Sequence, residues 1–326
     1  MNFRTELPLS KSPFSISHQD NILLVGSCFT ENIGHKIQTA KFNATINPLG
    51  IAFNPISLHQ HLSLTTKKIK ELKVQEKEGI FFHPDFHSEF NTTKKESYIQ
   101  KVEQQIEKQV EQLKNSSTIF ITYGTAWVYE TVSDKRLVNN CHKLPSKDFT
   151  KKLLSTEKIV SSFNSCLRSL MKKFNTNFNF VFTLSPVRHL KDGFRENQLS
   201  KATLLLAIES ICEQNKNCTY FPAYEIMMDD LRGYRFYKED MVHPNEQAVE
   251  YIWKKFKSCY FDTKTLDLIQ EIEKAQRSLS HKAFHEKSEG HQQFLKQLLK
   301  QFQQLSKAHK LDVEQEIKSI QERLSN

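Results

Sequence analysis

Ile22-Leu-Leu-Val-Gly-Ser-Cys-Phe-Thr30 is the most informative segment of this chain of 326 residues. Its four apolar residues predict a buried strand, and a glycine, a hydroxyl and a thiol follow at once. Residues 30–39 then have helical spacing, with Ile33 and Ile37 on one face. A buried strand that ends in nucleophilic side chains indicates the ligand-binding edge of an α/β sheet.

Similar apolar segments recur along the chain, and helical patterns separate them. Further strands are predicted at 117–124, at 178–185 and from 219, where Pro222 interrupts the strand and indicates a sheet edge. Strands that alternate with helices predict a parallel sheet with helices on both faces. Gly124 and Ser185 would then lie on the same edge as Cys28. The helices are predicted at 96–114, 148–174, roughly 198–214 and 245–258.

The remaining segments are less regular. We predict a short strand and a loop at 41–55, a helix from Pro55, a mixed region with a loop or hairpin at 66–95, and loops at 125–147. Residues 263–326 contain many Lys, Gln and Glu residues and repeat apolar residues at helical spacing. We therefore predict a domain at 1–262 and a helical extension at 263–326. The extension is expected to dock on the core, and the alternative is pairing with a second copy.

The composition excludes several classes of protein. The net charge of +9 comes from lysines spread along the chain, which favours a solvated surface over a nucleic-acid-binding stripe. No apolar run is long enough for a membrane span, and no secretory signal is evident. The six cysteines form no CxxC pair, which argues against a thiolate zinc site. We expect a cytoplasmic protein with free thiols.

Near the other end of this domain, Asp240-Met-Val-His-Pro-Asn245 precedes a helical pattern. An aspartate three residues before a histidine can hold one ring nitrogen and leave the other for proton transfer. Alone, the pattern is common, and Asp240 or Asn245 could simply cap the helix. Together with the nucleophiles at Ser27 and Cys28, it provides the parts of a covalent acyl-transfer site.

The segment Gly26-Ser-Cys-Phe-Thr30 resembles the motif of the GSCFA family, with threonine in place of the usual alanine. Other segments similar to that family lie at 47–55, 85–88, 124–129, 184–189 and 240–245, so the resemblance covers roughly residues 1–260. The family belongs with the SGNH/GDSL-like hydrolases and acyltransferases. The resemblance therefore implies a flavodoxin-like, three-layer α/β fold and acyl-transfer chemistry, but no particular substrate.

The resemblance also implies roles for the two motifs. In register with the Gly-Asp-Ser motif of SGNH enzymes, Cys28 takes the position of the nucleophile and Ser27 that of the aspartate. We favour Cys28 as nucleophile, because only its pKa must fall for a thiol to become reactive. The alternative is Ser27, with Cys28 packed beneath it. His243 would be the general base and Asp240 its orienting carboxylate.

An oxyanion formed during acyl transfer needs fixed hydrogen-bond donors. The backbone N–H of Cys28 is the first candidate, and Gly50 resembles the glycine of the second SGNH motif. The third donor is usually the asparagine of Gly-x-Asn, but this chain has Ala126 there. Thr125, the Trp127 indole or Asn140 could substitute. Equally, Trp127 could be part of the core or of a pocket wall.

Several other polar residues are candidates for weaker roles. His83, Asp85 and His87 have a spacing that could hold a metal, but we expect no metal and at most a substrate contact from His87. Arg188, followed by His189, could bind an anionic group or serve as a structural ion-pair partner. His142 is a weak pocket candidate.

The sequence therefore predicts an esterase or deacylase that acts on an acylated small molecule or carbohydrate and needs no cofactor. Two alternatives remain open. One is an acyltransferase with a donor similar to acyl-CoA, which the basic surface would suit. The other is a binding protein that keeps the fold without catalysis, which the missing asparagine supports.

Overall fold

The computed structural model describes residues 5–65, 72–281 and 288–325. Residues 66–71, at the start of the predicted mixed region, lie outside this part. The described strands are β1 (Asn21–Gly26), β2 (Asn43–Ile46), β3 (Gln75–Lys77), β4 (Ile80–Phe82), β5 (Ser116–Tyr123), β6 (Trp127–Thr131), β7 (Leu137–Val138), β8 (Phe149–Leu153), β9 (Asn179–Leu184) and β10 (Cys218–Phe221).

The α-helices begin directly after the first strand. They are α1 (Cys28–Thr39), α2 (Pro55–Ser63), α3 (Lys95–Asn115), α4 (Thr156–Phe174), α5 (Phe194–Gln214), α6 (Glu246–Tyr260), α7 (Thr263–Ser280), α8 (Glu289–His309) and α9 (Glu314–Ser325). A three-residue turn of helix, Ala223–Glu225, continues into a π-helical stretch, Ile226–Leu231.

Five strands form a central sheet in the order β2-β1-β5-β9-β10, and all neighbours in it are parallel. Counted along the chain, this is the 2-1-3-4-5 order of flavodoxin-like folds. The predicted parallel α/β sheet is therefore confirmed. Pro222 directly follows β10 at the edge of the sheet, as predicted.

Helices cover both faces of this sheet because its strands are apolar on both sides. In β1, Leu23 and Val25 pack in one core cluster with α2, α4 and α5. Ile22 and Leu24 pack in another with α1 and α6. The alternation of β1 side chains between the two clusters follows from the twofold period of a strand. Strand β1 is thus buried between both helical layers, and its end opens at the sheet edge.

The segment from 125 to 155 differs from the prediction. Instead of loops and the start of a helix, it contains a small antiparallel sheet in the order β7-β6-β8. Helix α4 begins only at Thr156, where the Ser155 hydroxyl accepts a hydrogen bond from the Lys158 N–H. Pairing between β6 and β8 joins distant residues, so local periodicity could not indicate it. Within the mixed region at 66–95, for which a loop or a hairpin was predicted, β3 and β4 form a short antiparallel hairpin.

Helices α7, α8 and α9 follow the core, as predicted. Ile269 of α7 packs in the core cluster beside α6, and Lys257 and Glu273 form an ion pair of 3.0 Å across the same contact. Phe302 of α8 is fully buried in a separate cluster formed by these helices. The extension thus docks on the core of its own chain. The boundary at 262 stays a prediction. No helix among the described residues is long and apolar enough to cross a bilayer.

Candidate functional site at the sheet edge

Gly26 ends β1 in a conformation that a larger residue could not adopt. Its φ is +151°, and a Cβ there would lie 2.5 Å from the Thr122 carbonyl oxygen and from the Thr30 hydroxyl. Its N–H donates to the Asn47 side-chain oxygen at 2.8 Å. The contact with Asn47 gives the 47–55 segment a physical role: it closes the end of β1.

Ser27 and Cys28 follow at the point where the strand becomes α1. Ser27 is the N-cap residue, only 1% exposed, and its hydroxyl has no hydrogen-bond partner among the described residues. Cys28 is the first helical residue and is half-buried. The more accessible of the two predicted nucleophiles is therefore the thiol.

The environment of Cys28 favours the neutral thiol in the resting protein. Burial and the Glu31 carboxylate raise the pKa of the Cys28 thiol above its ordinary value. The backbone N–H groups of Phe29 and Cys28 at the start of α1, together with the Lys201 charge, lower that pKa and oppose these effects. A nucleophilic thiolate at this position therefore needs a nearby base.

Asp240 and His243 form the pair that the sequence predicted. One Asp240 carboxylate oxygen accepts the N–H groups of Val242 and His243, both at 2.9 Å. These two bonds, together with the hydrogen bond from the His243 ring, lower the pKa of Asp240 to about 2. The other oxygen lies 2.6 Å from His243 Nδ1, which donates because an ionised carboxylate can only accept. His243 Nε2 has no hydrogen-bond partner in the described part of the chain.

Arg188 connects this loop to the central sheet. It follows β9, and its guanidinium donates to the Met241 carbonyl at 2.7 Å. The guanidinium also lies over the rings of Tyr237, at 4.6 Å, and Tyr234, at 5.2 Å. Of the two predicted roles for Arg188, the structural one describes these contacts, although its partners are a carbonyl and aromatic rings and not a carboxylate. His189, which follows it, is exposed and stacks on Phe53.

Arg188 thus holds the 240–243 loop at the edge of the sheet where β1 also ends. Cys28 and Val242 both pack against the core cluster that contains α1 and α6. Within the described residues, however, no hydrogen bond joins His243 to Ser27 or Cys28. Direct contact between the base and the nucleophile stays a prediction.

The predicted oxyanion donors are mostly engaged. The Gly50 N–H closes a turn on the Asn47 carbonyl at 2.8 Å, which leaves it no free donor in this conformation. The Trp127 indole donates to the Glu196 carbonyl at 3.1 Å, and Lys151 lies over its ring. Asn140 is different: its side-chain oxygen accepts the N–H of His142, and its NH2 group donates to no atom of the described residues. The Cys28 N–H, in the first turn of α1, has no backbone acceptor among the described residues.

The turn after β5 is held by α5. Thr125 donates its N–H to the Phe53 carbonyl, and its hydroxyl lies 3.1 Å from that of Ser200. Ser200 also accepts the N–H of Ala126 at 2.8 Å. Thr125 is therefore at the predicted edge, but its polar groups support the turn.

The remaining candidates lie in two places. His87 is beside Gly50, where a Cβ on the glycine would lie 2.5 Å from the His87 Cβ. His142 is near β4: its ring packs on Phe82 at 4.6 Å, and its Nε2 lies 3.1 Å from the His83 carbonyl oxygen. Among the described residues, no group of three or more His, Cys, Asp or Glu side chains is arranged to hold a metal ion.

Lys201 is the site residue that the sequence analysis missed. It projects from α5 and is 2% exposed, and its ammonium donates to the carbonyls of Ser185, at 2.7 Å, and Gly124, at 3.0 Å. Burial lowers the pKa of Lys201 to about 7. A signal was available, because Lys201 falls on the same helical stripe as the buried Leu204 and Ile208.

Two comparisons with known proteins find similarity. Residues 21–256 match the GSCFA family, and residues 272–326 match the C-terminal domain of GSCFA domain proteins. The chain belongs to the GSCFA family. No curated protein matches it. A crystal structure of a carbohydrate esterase family 3 from Talaromyces cellulolyticus is similar over 77% of this chain and 99% of that one, with 9% identity and a TM-score of 0.35.

Proposed function

We propose that this GSCFA-family protein is an acyl-transfer enzyme, of the esterase or deacylase type, with the SGNH-like site that its motifs resemble. Cys28, or alternatively Ser27, would be the nucleophile, with His243 as base and Asp240 as its orienting group. The hydrogen bond of 2.6 Å between His243 Nδ1 and Asp240 supports this proposal most directly. It selects the tautomer whose Nε2 has a free lone pair for a proton.

The choice between the two nucleophiles rests on access and on hydrogen bonding. The Ser27 hydroxyl is almost completely covered, whereas Cys28 is half-buried at the start of α1. The α1 N-terminus also favours a negative charge on Cys28. These observations favour Cys28. Ser27 stays the alternative, because its buried hydroxyl has no hydrogen-bond partner among the described residues.

The reaction would begin with transfer of the Cys28 proton to His243 Nε2. The thiolate then attacks the acyl carbonyl carbon, and the bond between that carbon and the leaving group breaks. His243 returns the proton to the leaving group, which leaves the acyl group on the sulfur. Water, or an acceptor hydroxyl or amine, attacks the acyl-enzyme next, and its proton passes through His243 back to Cys28. The identity of this acceptor separates a hydrolase from a transferase.

The proposed substrate is an acylated small molecule or carbohydrate, with no cofactor. A donor similar to acyl-CoA is the transferase alternative, and it would suit the net charge of +9. The engaged donors at Gly50 and Trp127 favour the other alternative, a binding protein without catalysis. We also propose a cytoplasmic location, and pairing of two copies through α8 and α9 as an alternative to a monomer.

Acylation of the purified protein tests this function. S-phenyl thioacetate and p-nitrophenyl acetate are the probes, and mass spectrometry of the tryptic peptide 12–36, which contains both Ser27 and Cys28, is the readout. We expect one acetyl group on this peptide, its loss in Cys28→Ala, and acylation at least a hundredfold slower in His243→Asn. Cys141→Ala is the matched control, because Cys141 is also half-buried.

Three results would change the proposal. An acetyl group that persists in Cys28→Ala and disappears in Ser27→Ala would transfer the role to Ser27. Equal acetylation of Cys28 and Cys141 would favour the binding protein, because a site without activation treats both thiols alike. Full activity of His243→Asn would show that His243 is not the general base.

A further inference from the structure

Lys201 is a buried amino group that has no carboxylate partner among the described residues. Its ammonium is covered by the turns after β5 and β9, and its hydrogen-bond acceptors are the neutral carbonyls of Gly124 and Ser185. No carboxylate lies within ion-pair distance of it among the described residues. The ring of Tyr224, at 5.5 Å, is a further contact with no formal charge. Burial of such a group costs free energy that two carbonyls offset only in part.

Two titratable groups respond to the Lys201 charge, Cys28 and His189. Burial and, to a smaller extent, the Lys201 charge lower the pKa of His189. Of the two groups, only Cys28 ionises to an anion. The Lys201 charge lowers the pKa of the Cys28 thiol, and Cys28 in turn raises the pKa of Lys201. Burial raises the pKa of Cys28 and lowers the pKa of Lys201, since it disfavours the charged form of each group. When both groups are ionised, the attraction between the thiolate and the ammonium therefore offsets part of the free energy that burial of each charge costs.

The hydrogen bonds of Lys201 fix where this charge lies. The two carbonyls belong to the ends of β5 and β9, which neighbour each other in the sheet, and β1 lies on the other side of β5. An ammonium has three N–H groups, and the two carbonyls take two of them. One N–H thus remains for an anion at the sheet edge.

We propose that Lys201 is the positioning cation of the candidate site: it stabilises the thiolate of Cys28 and so makes this thiol the reactive one. This proposal rests on the proposed function of Cys28 as nucleophile. Lys201 takes up no proton in the step, because the Cys28 proton still goes to His243 Nε2. Glu31 is the opposing charge, and it raises the pKa of the same thiol.

The test measures thiol acidity and needs no acyl substrate. The protein is alkylated with iodoacetamide over a range of pH, and peptide 12–36 reports the rate at Cys28. In Lys201→Met we expect alkylation near neutral pH to slow by roughly tenfold, with the pH profile displaced upwards. Glu31→Gln should displace the profile in the opposite direction. Cys141 in the same samples is an internal standard, because Lys191 and not Lys201 acts on its pKa.

A second variant separates charge from hydrogen bonding. Lys201→Gln keeps an N–H donor for the strand-end carbonyls but removes the charge, so its profile should match that of Lys201→Met. If Lys201 only supports the two turns, Lys201→Gln would retain the profile of the original protein, and the proposal would be wrong. Lys191→Met, an exposed lysine on a neighbouring turn, should leave Cys28 unchanged. Circular dichroism shows whether each variant is folded. Lys201→Met measures the total effect of the side chain, and Lys201→Gln assigns that effect to the charge.

The two proposals fail in different ways. An unchanged Cys28 profile in folded Lys201→Met or Lys201→Gln overturns the role of Lys201, whatever acetylation shows. A displaced profile supports that role even if no acetyl group is found on peptide 12–36, in which case the proposed catalytic function is the one that fails.

Discussion

Replacement of Gly26 by alanine should destabilise the protein far more than the same change at Gly79 or Gly290. The φ of +151° is unfavourable for alanine, which costs roughly 1–3 kcal/mol. The new Cβ would also lie 2.5 Å from the Thr122 carbonyl oxygen, and forcing that contact apart costs about 1–3 kcal/mol more. The expected loss in the free energy of unfolding is therefore roughly 2–6 kcal/mol.

Two other glycines are matched controls for the two parts of this cost. Gly79 has a φ of +76° with nothing within 4 Å of its Cβ position, so Gly79→Ala should show the backbone cost alone, about 1–2 kcal/mol. Gly290, in the first turn of α8, has an ordinary φ and open space, so alanine should be neutral or stabilise by up to about 1 kcal/mol.

Urea denaturation followed by circular dichroism measures all three variants. We expect Gly26→Ala to be the most destabilised variant, followed by Gly79→Ala and then Gly290→Ala. If Gly26→Ala and Gly79→Ala lost the same free energy within about 0.5 kcal/mol, the close approach of β1 to β5 would contribute nothing. Glycine would then be needed at the end of β1 only for its backbone conformation.

Two further predictions concern the loop that carries the proposed base. Arg188→Leu removes the donor to the Met241 carbonyl, so we expect acetylation of peptide 12–36 to slow at least tenfold. The control Arg168→Leu, at an exposed arginine, should have no effect. Equal rates in the two variants would show that Arg188 is not needed to position the 240–243 loop. The folded pKa of Asp240 is depressed to about 2 from 3.8, so its stabilising bonds are present above pH 3.8 and are lost as the pH falls towards 2. In Asp240→Asn, the melting temperature should therefore depend less on pH between about pH 2 and 3.8, and only there. Thermal melts over a range of pH measure this. A change confined to neutral pH would contradict the assignment of the low pKa to Asp240.

Local patterns in the sequence were sufficient for the central sheet. The apolar run before Gly26 and the runs at 117–124 and 178–185 became β1, β5 and β9, because a strand buried on both faces must be apolar throughout. The antiparallel sheet of β6, β7 and β8 was missed. Most residues of β8 are exposed, so they have no apolar period, and only pairing with β6 defines the strand.

The same distinction applies to the candidate site: its local contacts were predicted from the sequence, and its long-range contacts were not. Asp240 and His243 were predicted as a pair because the two residues are three positions apart, and the hydrogen bond between them is local. Arg188 and Lys201 were placed incompletely or not at all. Their partners are backbone carbonyls of other segments, and no side-chain motif marks a carbonyl in a sequence.

The sequence alone determined that this chain forms a parallel α/β sheet with Ser27 and Cys28 at the end of β1 and an Asp–His pair far along the chain. These features depend on neighbouring residues, through apolar periodicity and short-range hydrogen bonds. Only the tertiary structure decided that Arg188 joins the 240–243 loop to β9 and that Lys201 joins the ends of β5 and β9. Both depend on the parallel order of the strands, which brings the ends of β1, β5 and β9 to one edge.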